Sequence, residues 1–191
     1  MSKREARKDA LRTRKGLAAD EVRRLSGKVH QNLLSLPEFG SAKVIASYVA
    51  KKDEVQTAEI LKQALASGKK VIVPRSDPSS VSLRFHEIRS LAELRPGAFG
   101  IPEPPTGSPT VPLAHADVVL VPMVAWDLGG HRLGYGKGYF DRELKSRGEA
   151  LGIGLGFEVQ RRDSLPTTPT DVPMDAIVTD RRVLRFGRNS C

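Results

Sequence analysis

Apolar positions along the chain recur with two different periods, and their succession outlines an α/β protein. Between Asp20 and Leu34, Val22, Leu25, Val29 and Leu33 fall on one face at helical spacing. Lys43 to Ala50, KVIASYVA, is apolar over the length of a strand and suits a sheet covered on both faces. The turn-like Pro37-Glu38-Phe39-Gly40 separates the two. Thr57 can cap a helix running through Ser67, Gly68 ends it, and Lys70 to Val73 returns as a strand before Pro74. Strand, helix and strand in this order predict a parallel pair with a right-handed crossover.

The middle is less regular. Val81 to Phe85 reads as a strand and Leu91 to Leu94 as a short helical turn, while five prolines between Pro102 and Pro112 predict an ordered loop. Val118 to Val121 is a compact apolar run ended by Pro122, the pattern of a buried strand. A helix from Tyr139 to about Ser146 then feeds strands at Ala150 to Phe157, Ala176 to Thr179 and Val183 to Phe186. This order predicts a three-layer α/β/α fold with a mostly parallel central sheet. No repeat or linker marks a second domain, so residues 1–191 are expected to form one, with a basic helical segment at about 2–16.

Ligands of open sheets bind beyond the carboxyl ends of the strands. Glu54, Arg75 and a glycine-rich stretch follow three of the predicted strands. The last holds Gly129, Gly130, Gly134, Gly136 and Gly138, interleaved with Arg132 and Lys137, and leads into a helix start with Asp141. Glycines let backbone N–H groups approach a ligand, and the two cations suit oxyanions. The stretch is neither a P-loop, since His131 and Gly138 stand where a glycine and a hydroxyl residue belong, nor a GxGxxG loop, since Tyr139 replaces the third glycine. A flexible crossover with incidental charge is the competing reading.

Composition changes this picture little. At 39% apolar content, 191 residues permit a real core. No apolar run approaches membrane-spanning length, and the only cysteine, Cys191, predicts a reducing, cytoplasmic compartment. The net charge of +9 raises nucleic-acid binding, but residues 1–52 hold 13 Lys and Arg against 5 Asp and Glu, so the excess is mostly N-terminal. Without an aromatic stacking platform or a zinc-finger spacing, an RNA-binding module is the weaker reading. His30, His86, His115 and His131 lack metal-ligand spacing and are assigned to solvent or packing.

The run Gly130-His131-Arg132-Leu133-Gly134-Tyr135-Gly136-Lys137-Gly138-Tyr139-Phe140-Asp141 closely resembles the G-x-R-L-G-x-G-x-G-[YF]-[YF]-D signature of the 5-formyltetrahydrofolate cyclo-ligase, or methenyltetrahydrofolate synthetase, family. Further similar stretches fall in the family's order: Lys3-x-x-x-Arg7, Tyr48 with Asp53-Glu54-Val55 and Thr57, Pro74-Arg75, Gly100-Ile101-Pro102-Glu103-Pro104, Leu155-Gly156-Phe157-Glu158 with Gln160, and Leu165-Pro166 leading to Asp171 and Asp175. The resemblance implies a sheet of the sugar-phosphate-isomerase and CoA-transferase type. It also implies ATP- and Mg²⁺-dependent cyclisation of 5-formyltetrahydrofolate to 5,10-methenyltetrahydrofolate with release of ADP and phosphate. Such a ligase needs no enzyme nucleophile, in keeping with the absence of a nucleophile-elbow pattern.

Residue roles carried by the resemblance are as follows. Lys3 and Arg7, together with Arg132, Leu133, Gly134, Tyr135, Gly136, Lys137, Gly138, Tyr139 and Phe140, match the ATP-contacting set. Val49, Glu54, Tyr135, Gly136, Lys137, Gly138 and Tyr139 match the folate-facing set, with Tyr48 or Phe99 as a stacking group. Lys137, Arg132 and Tyr139 are the catalytic candidates, and Asp141 and Asp171 the magnesium ligands. A carboxylate such as Glu54 can accept the adjacent N–H donors of a pterin together. The implied partner is a reduced folate, with or without a polyglutamate tail; neither nucleic acid nor membrane is expected, and monomer is the default. Tyr135 departs from the basic residue frequent at its place in the signature, Met123 from a glycine and Thr170 from a histidine. A small-molecule kinase using the same loop is the alternative enzyme.

Overall fold

The computed structural model describes residues 2–187. Cys191 lies outside the described residues. In chain order the elements are α1 (Lys3–Lys15), α2 (Ala19–Leu34), α3 (Pro37–Ser41), β1 (Val44–Ala46), α4 (Ala58–Ala66), β2 (Lys70–Asp77), β3 (Ser82–Ile88), β4 (Arg95–Pro96), β5 (Pro102–Glu103), β6 (Val118–Pro122), β7 (Ala125–Trp126), β8 (Arg132–Leu133), α5 (Tyr139–Leu144), β9 (Leu151–Leu155), β10 (Ala176–Val178) and β11 (Val183–Arg185). Seven strands form one sheet in the order β11-β10-β9-β6-β1-β2-β3. The inner five are parallel, and β11 and β3 pair antiparallel at the two edges.

Strand alternation sorts the core into two layers. Ile45, Val71, Val73, Val118 and Leu120 meet Val22, Leu25, Val29 and Leu33 of α2, Phe39 of α3 and Ile60 and Leu61 of α4. Their neighbours Ala46, Ile72, Val119 and Val121 face the other way, toward Leu113, Leu144 of α5 and Met174. The result is a three-layer α/β fold with a mostly parallel sheet. Its second outer layer is thin: α5 is a single short helix, and loops cover the rest.

Several boundaries differ from the sequence pattern for identifiable reasons. The expected strand from Lys43 to Ala50 pairs only over Val44–Ala46. Beyond it the Tyr48 hydroxyl donates to the Val55 carbonyl (2.9 Å), and the Thr57 hydroxyl donates to the Tyr48 carbonyl (2.9 Å), which binds residues 48–57 to one another. Thr57 is still the residue before α4, but its side chain closes this loop and caps nothing. Conversely, β2 runs on through Pro74. Ser47 N–H donates to the Ile72 carbonyl at 3.0 Å; two residues later the missing N–H of Pro74 faces the same side, where β1 has already ended. The turn-like Pro37 segment forms a helical turn with proline at its start.

Crossovers fix where a ligand can sit. From β1 the chain passes through α4 to the adjacent β2, and from β6 through α5 to the adjacent β9, with the two helices packed on opposite faces. Because β1 and β6 are neighbours, the strand order reverses between them and a crevice opens beyond their carboxyl ends. At the far edge, Arg185 of β11 forks onto Glu38 of α3, with Nη2 to Oε2 at 2.9 Å. That hydrogen-bonded guanidinium holds the Glu38 carboxyl at about 2, below its ordinary 4.5. A folded-state value below the unfolded one contributes stability above about pH 4.5 that is lost as the pH falls toward 2. Glu38→Gln should therefore lower the melting temperature at pH 7 by no more than a few degrees, the pair being exposed. The deficit should shrink steadily between pH 4.5 and 2; thermal melts across that range check it, and an undiminished gap at the acid end would exclude the ion pair as its source.

Candidate functional site

The crevice at the β1/β6 switch point has a volume of about 690 Å³ and is lined by Lys3, Arg7, Val49, Glu54, residues 132–141 and Asp171. Every residue that the sequence resemblance singles out for a ligand therefore reaches one cavity. The glycine-rich stretch divides in two. Gly129 and Gly130 belong to the tip of the β7–β8 hairpin, where buried Asp127 accepts from Gly129 N–H (2.9 Å) and His131 N–H (3.1 Å) through one oxygen and from Leu165 N–H (2.9 Å) through the other. Only Gly134 to Gly138 forms the loop that enters α5 along the crevice.

Helix α1 holds that loop. It opens with a Ser2–Glu5 capping box and docks Ala6 and Ala10, fully buried, against Ala125 and Leu133 of the hairpin. The same face carries cations inward. Lys3 pairs with Asp171 and donates to the Thr168 hydroxyl (3.2 Å). Arg7 Nε donates to the Gly134 carbonyl (2.7 Å), and a Cβ on Gly136, whose φ is +97°, would stand 3.0 Å from the Arg7 guanidinium carbon. The backbone conformation favours glycine there, and a side chain would press on Arg7. Arg14, 1% exposed, donates to Asp53 (2.9 Å), to the Tyr135 hydroxyl (2.6 Å) and to the Met123 carbonyl (3.3 Å). Arg14 is the functional neighbour that the sequence reading passes over; its position seven residues after Arg7, on the face of Ala6 and Ala10, is the signal that was available.

At one end of the crevice two carboxylates stand beside cations. Asp141 receives Arg132 Nη2 at 2.7 Å and Val172 N–H at 3.2 Å, both on Oδ1. Arg132 also donates to the Val172 carbonyl, and burial pulls its guanidinium below the ordinary value, partly offset by Asp141. The side chain of Arg132 is thus spent on holding Asp141 and the Val172 backbone. Burial would raise the Asp171 carboxyl, but hydrogen bonds from Lys3 and Thr168 keep it below the usual range. Lys137, by contrast, has no carboxylate partner among the described residues; its ammonium lies 4.6 Å from the Phe99 ring centre. No group of three metal-type side chains occurs among the described residues. Asp141 and Asp171 nevertheless fit magnesium, which takes one or two carboxylates and completes its shell with phosphate oxygens and water.

The other end is built from the 48–57 loop. Glu54, 5% exposed, accepts Lys51 N–H through Oε2 (2.7 Å) and the Tyr135 hydroxyl through Oε1 (2.8 Å). Tyr48 is core, 4% exposed with its hydroxyl bonded, whereas Phe99 is 47% exposed on a backbone at φ +58° and meets Tyr139 edge-on at 6.1 Å. Both stacking candidates line the crevice, and Phe99 is the more exposed of the two. The Tyr139 hydroxyl is buried without a hydrogen-bond partner among the described residues. Arg75 does not face the cavity: Pro74 and Ser76 do, and strand alternation sends Arg75 to the Pro104 carbonyl (2.8 Å). Met123 finds room because Gly154 has no side chain; a Cβ there would lie 2.5 Å from its sulfur.

The chain matches the model of the 5-formyltetrahydrofolate cyclo-ligase family over residues 1–180. It is 28% identical over 174 residues to the 5-formyltetrahydrofolate cyclo-ligase of Escherichia coli strain K12, covering 89% of this chain and 96% of that protein. With the Haemophilus influenzae enzyme of the same name it shares 31% over 172 residues, covering 88% and 92%. The fold is similar to the NMR structure of Aquifex aeolicus 5,10-methenyltetrahydrofolate synthetase, with a TM-score of 0.85, 40% identity and coverage of 99% and 96%. For the Mycoplasma pneumoniae 5,10-methenyltetrahydrofolate synthetase the TM-score is 0.77, with 27% identity and coverage of 94% and 99%.

Arg132 and Asp141 should fail differently. Removing the buried guanidinium leaves Asp141 and the Val172 carbonyl without their donor, so Arg132→Ala should cost about 3 kcal/mol or more in urea unfolding. Asp141→Asn keeps an acceptor for both donors but removes the counter-charge of Arg132, and should cost less, about 1.5–3 kcal/mol. The opposite ranking of the two unfolding free energies would contradict the positioning role of Arg132.

Proposed function

The chain belongs to the 5-formyltetrahydrofolate cyclo-ligase family, and from the geometry of its crevice we infer how the two substrates lie in it. The enzyme uses ATP and magnesium to cyclise 5-formyltetrahydrofolate to 5,10-methenyltetrahydrofolate. The formyl oxygen takes the terminal phosphoryl group of ATP with release of ADP; N10 of the folate attacks the activated carbon and gives up its proton as the C–N bond forms, and cleavage of the C–O bond then releases phosphate to leave the methenyl bridge. Alignment and charge stabilisation are what such a reaction asks of a protein.

The triphosphate belongs at the Gly134–Gly138 loop, beneath Lys137 and beside Lys3 and Arg7. Lys137 is the cation best placed to meet charge developing on the transferring group. Asp141 and Asp171 are the residues that would hold magnesium, which when bound would supply positive charge against the phosphates. Arg132 orients Asp141. The pterin belongs at Glu54, with Val49 beside it and Phe99 offering a ring face, and the Tyr139 hydroxyl, which has no partner among the described residues, can donate to the oxygen under transfer. The observation that carries this reading is the presence, in one crevice at a topological switch point, of a glycine-loop lysine with no carboxylate partner among the described residues and of the buried carboxylate of Glu54.

Mixing the protein with ATP, magnesium and 5-formyltetrahydrofolate should produce the absorbance of methenyltetrahydrofolate near the ultraviolet–visible border. Lys137→Ala should slow its growth on the order of a hundredfold, the effect of losing one group that stabilises transition-state charge. Retention of the full rate by the variant would remove Lys137 from the phosphoryl site.

A further inference from the structure

Glu54 already accepts a hydrogen bond on each carboxylate oxygen as the protein stands. Its side chain is buried, one oxygen is taken by the Lys51 backbone N–H and the other by the Tyr135 hydroxyl at 2.8 Å. Tyr135 is itself only loosely enclosed. Its residue is 43% exposed, its ring lies 4.6 Å from the Lys51 ammonium, and its backbone is flanked by Gly134 and by Gly136 at φ +97°. On the protein side the phenol oxygen accepts from Arg14 Nη2 at 2.6 Å. A fixed cation thus holds the phenol from behind while its proton points at Glu54. Burial, and then the charge of Glu54, push the phenol above its ordinary value, so it remains a donor at neutral pH.

We propose that Tyr135 is a positioning residue whose hydroxyl stands in for a pterin donor on Glu54 and is displaced when folate binds. The proposal rests on Glu54 being the pterin acceptor, as inferred above. A pterin's adjacent N–H groups engage both carboxylate oxygens and compete with the Tyr135 hydroxyl for one of them; the glycines on either side of Tyr135 let it turn from Glu54 while Arg14 keeps Asp53 and the Met123 carbonyl. Tyr135 sits two residues before Lys137 on one loop whose base is held by Arg7 at Gly134. Its release therefore alters the segment that meets the triphosphate, and each substrate reports its presence to the other.

Tyr135→Phe removes the competing hydroxyl and keeps the ring over Lys51. Calorimetric titration with 5-formyltetrahydrofolate, in the absence of nucleotide, should show binding about tenfold tighter than to the unsubstituted protein. Glu54→Gln should bind it more weakly. A second arm measures the affinity of a β,γ-imido analogue of ATP with and without saturating folate. The two values should differ in the unsubstituted protein and converge in Tyr135→Phe, a change that general loss of stability would not produce. Unchanged or weaker folate binding by Tyr135→Phe, alongside weaker binding by Glu54→Gln, overturns the displacement while leaving the pterin at Glu54. Undiminished folate binding by Glu54→Gln overturns the placement of the pterin, and the displacement with it.

Discussion

A guanidinium sealed from solvent must find partners, and Arg14 finds them on three separate segments. It reaches Asp53 in the loop after β1, Tyr135 in the glycine loop and the Met123 carbonyl after β6. Leaving such a charge unpaired in a low-dielectric interior is far more costly than any one of these bonds is strong, so the segments are obliged to converge. Their convergence is what gives the crevice walls. With α1 anchored at its end by Arg14, Ala6 and Ala10 seat the helix on the β7–β8 hairpin, and Arg7 and Lys3 fall where the loop and Asp171 require them.

This arrangement gives the charge of the N-terminal segment a structural meaning. A run so basic suggests an exposed helix for a polyanion, yet Lys3, Arg7 and Arg14 turn inward at spacings that keep them on one face. The cavity they border carries Asp141 and Asp171 paired with Arg132 and Lys3, and Glu54 bonded to Tyr135 beside Arg14. Placing the cavity at the point where the strand order reverses needs nothing more than two crossovers of opposite direction from neighbouring strands.

Much of this was legible in the sequence, unevenly. The face of α2, the buried run at β6 and the crossover from β1 to β2 follow from periodicity, because burial on a helix stripe or in a parallel sheet leaves little freedom. The glycine loop, Lys137 and Asp141 were marked by the signature they resemble. What periodicity does not carry is the destination of a polar side chain. Thr57 reads as a helix cap and closes a loop instead; Arg75 reads as a crevice cation and strand alternation turns it away. Arg132 reads as a phosphate ligand, yet its bonds go to Asp141 and Val172. Arg14 looks like one more charge in a basic helix, because its partners lie 39 and 121 residues away in sequence.

Arg14 holds α1 and the two loops as one unit, and a double-mutant cycle between Arg14→Met and Asp53→Asn tests this directly by urea unfolding. Arg14→Met is predicted to cost about 3 kcal/mol, the low end for breaking a buried pair. The coupling to Asp53→Asn is predicted to be about 1 kcal/mol or more. Strictly additive effects, with Arg14→Met costing less than about 0.5 kcal/mol as an ordinary surface substitution would, would contradict it.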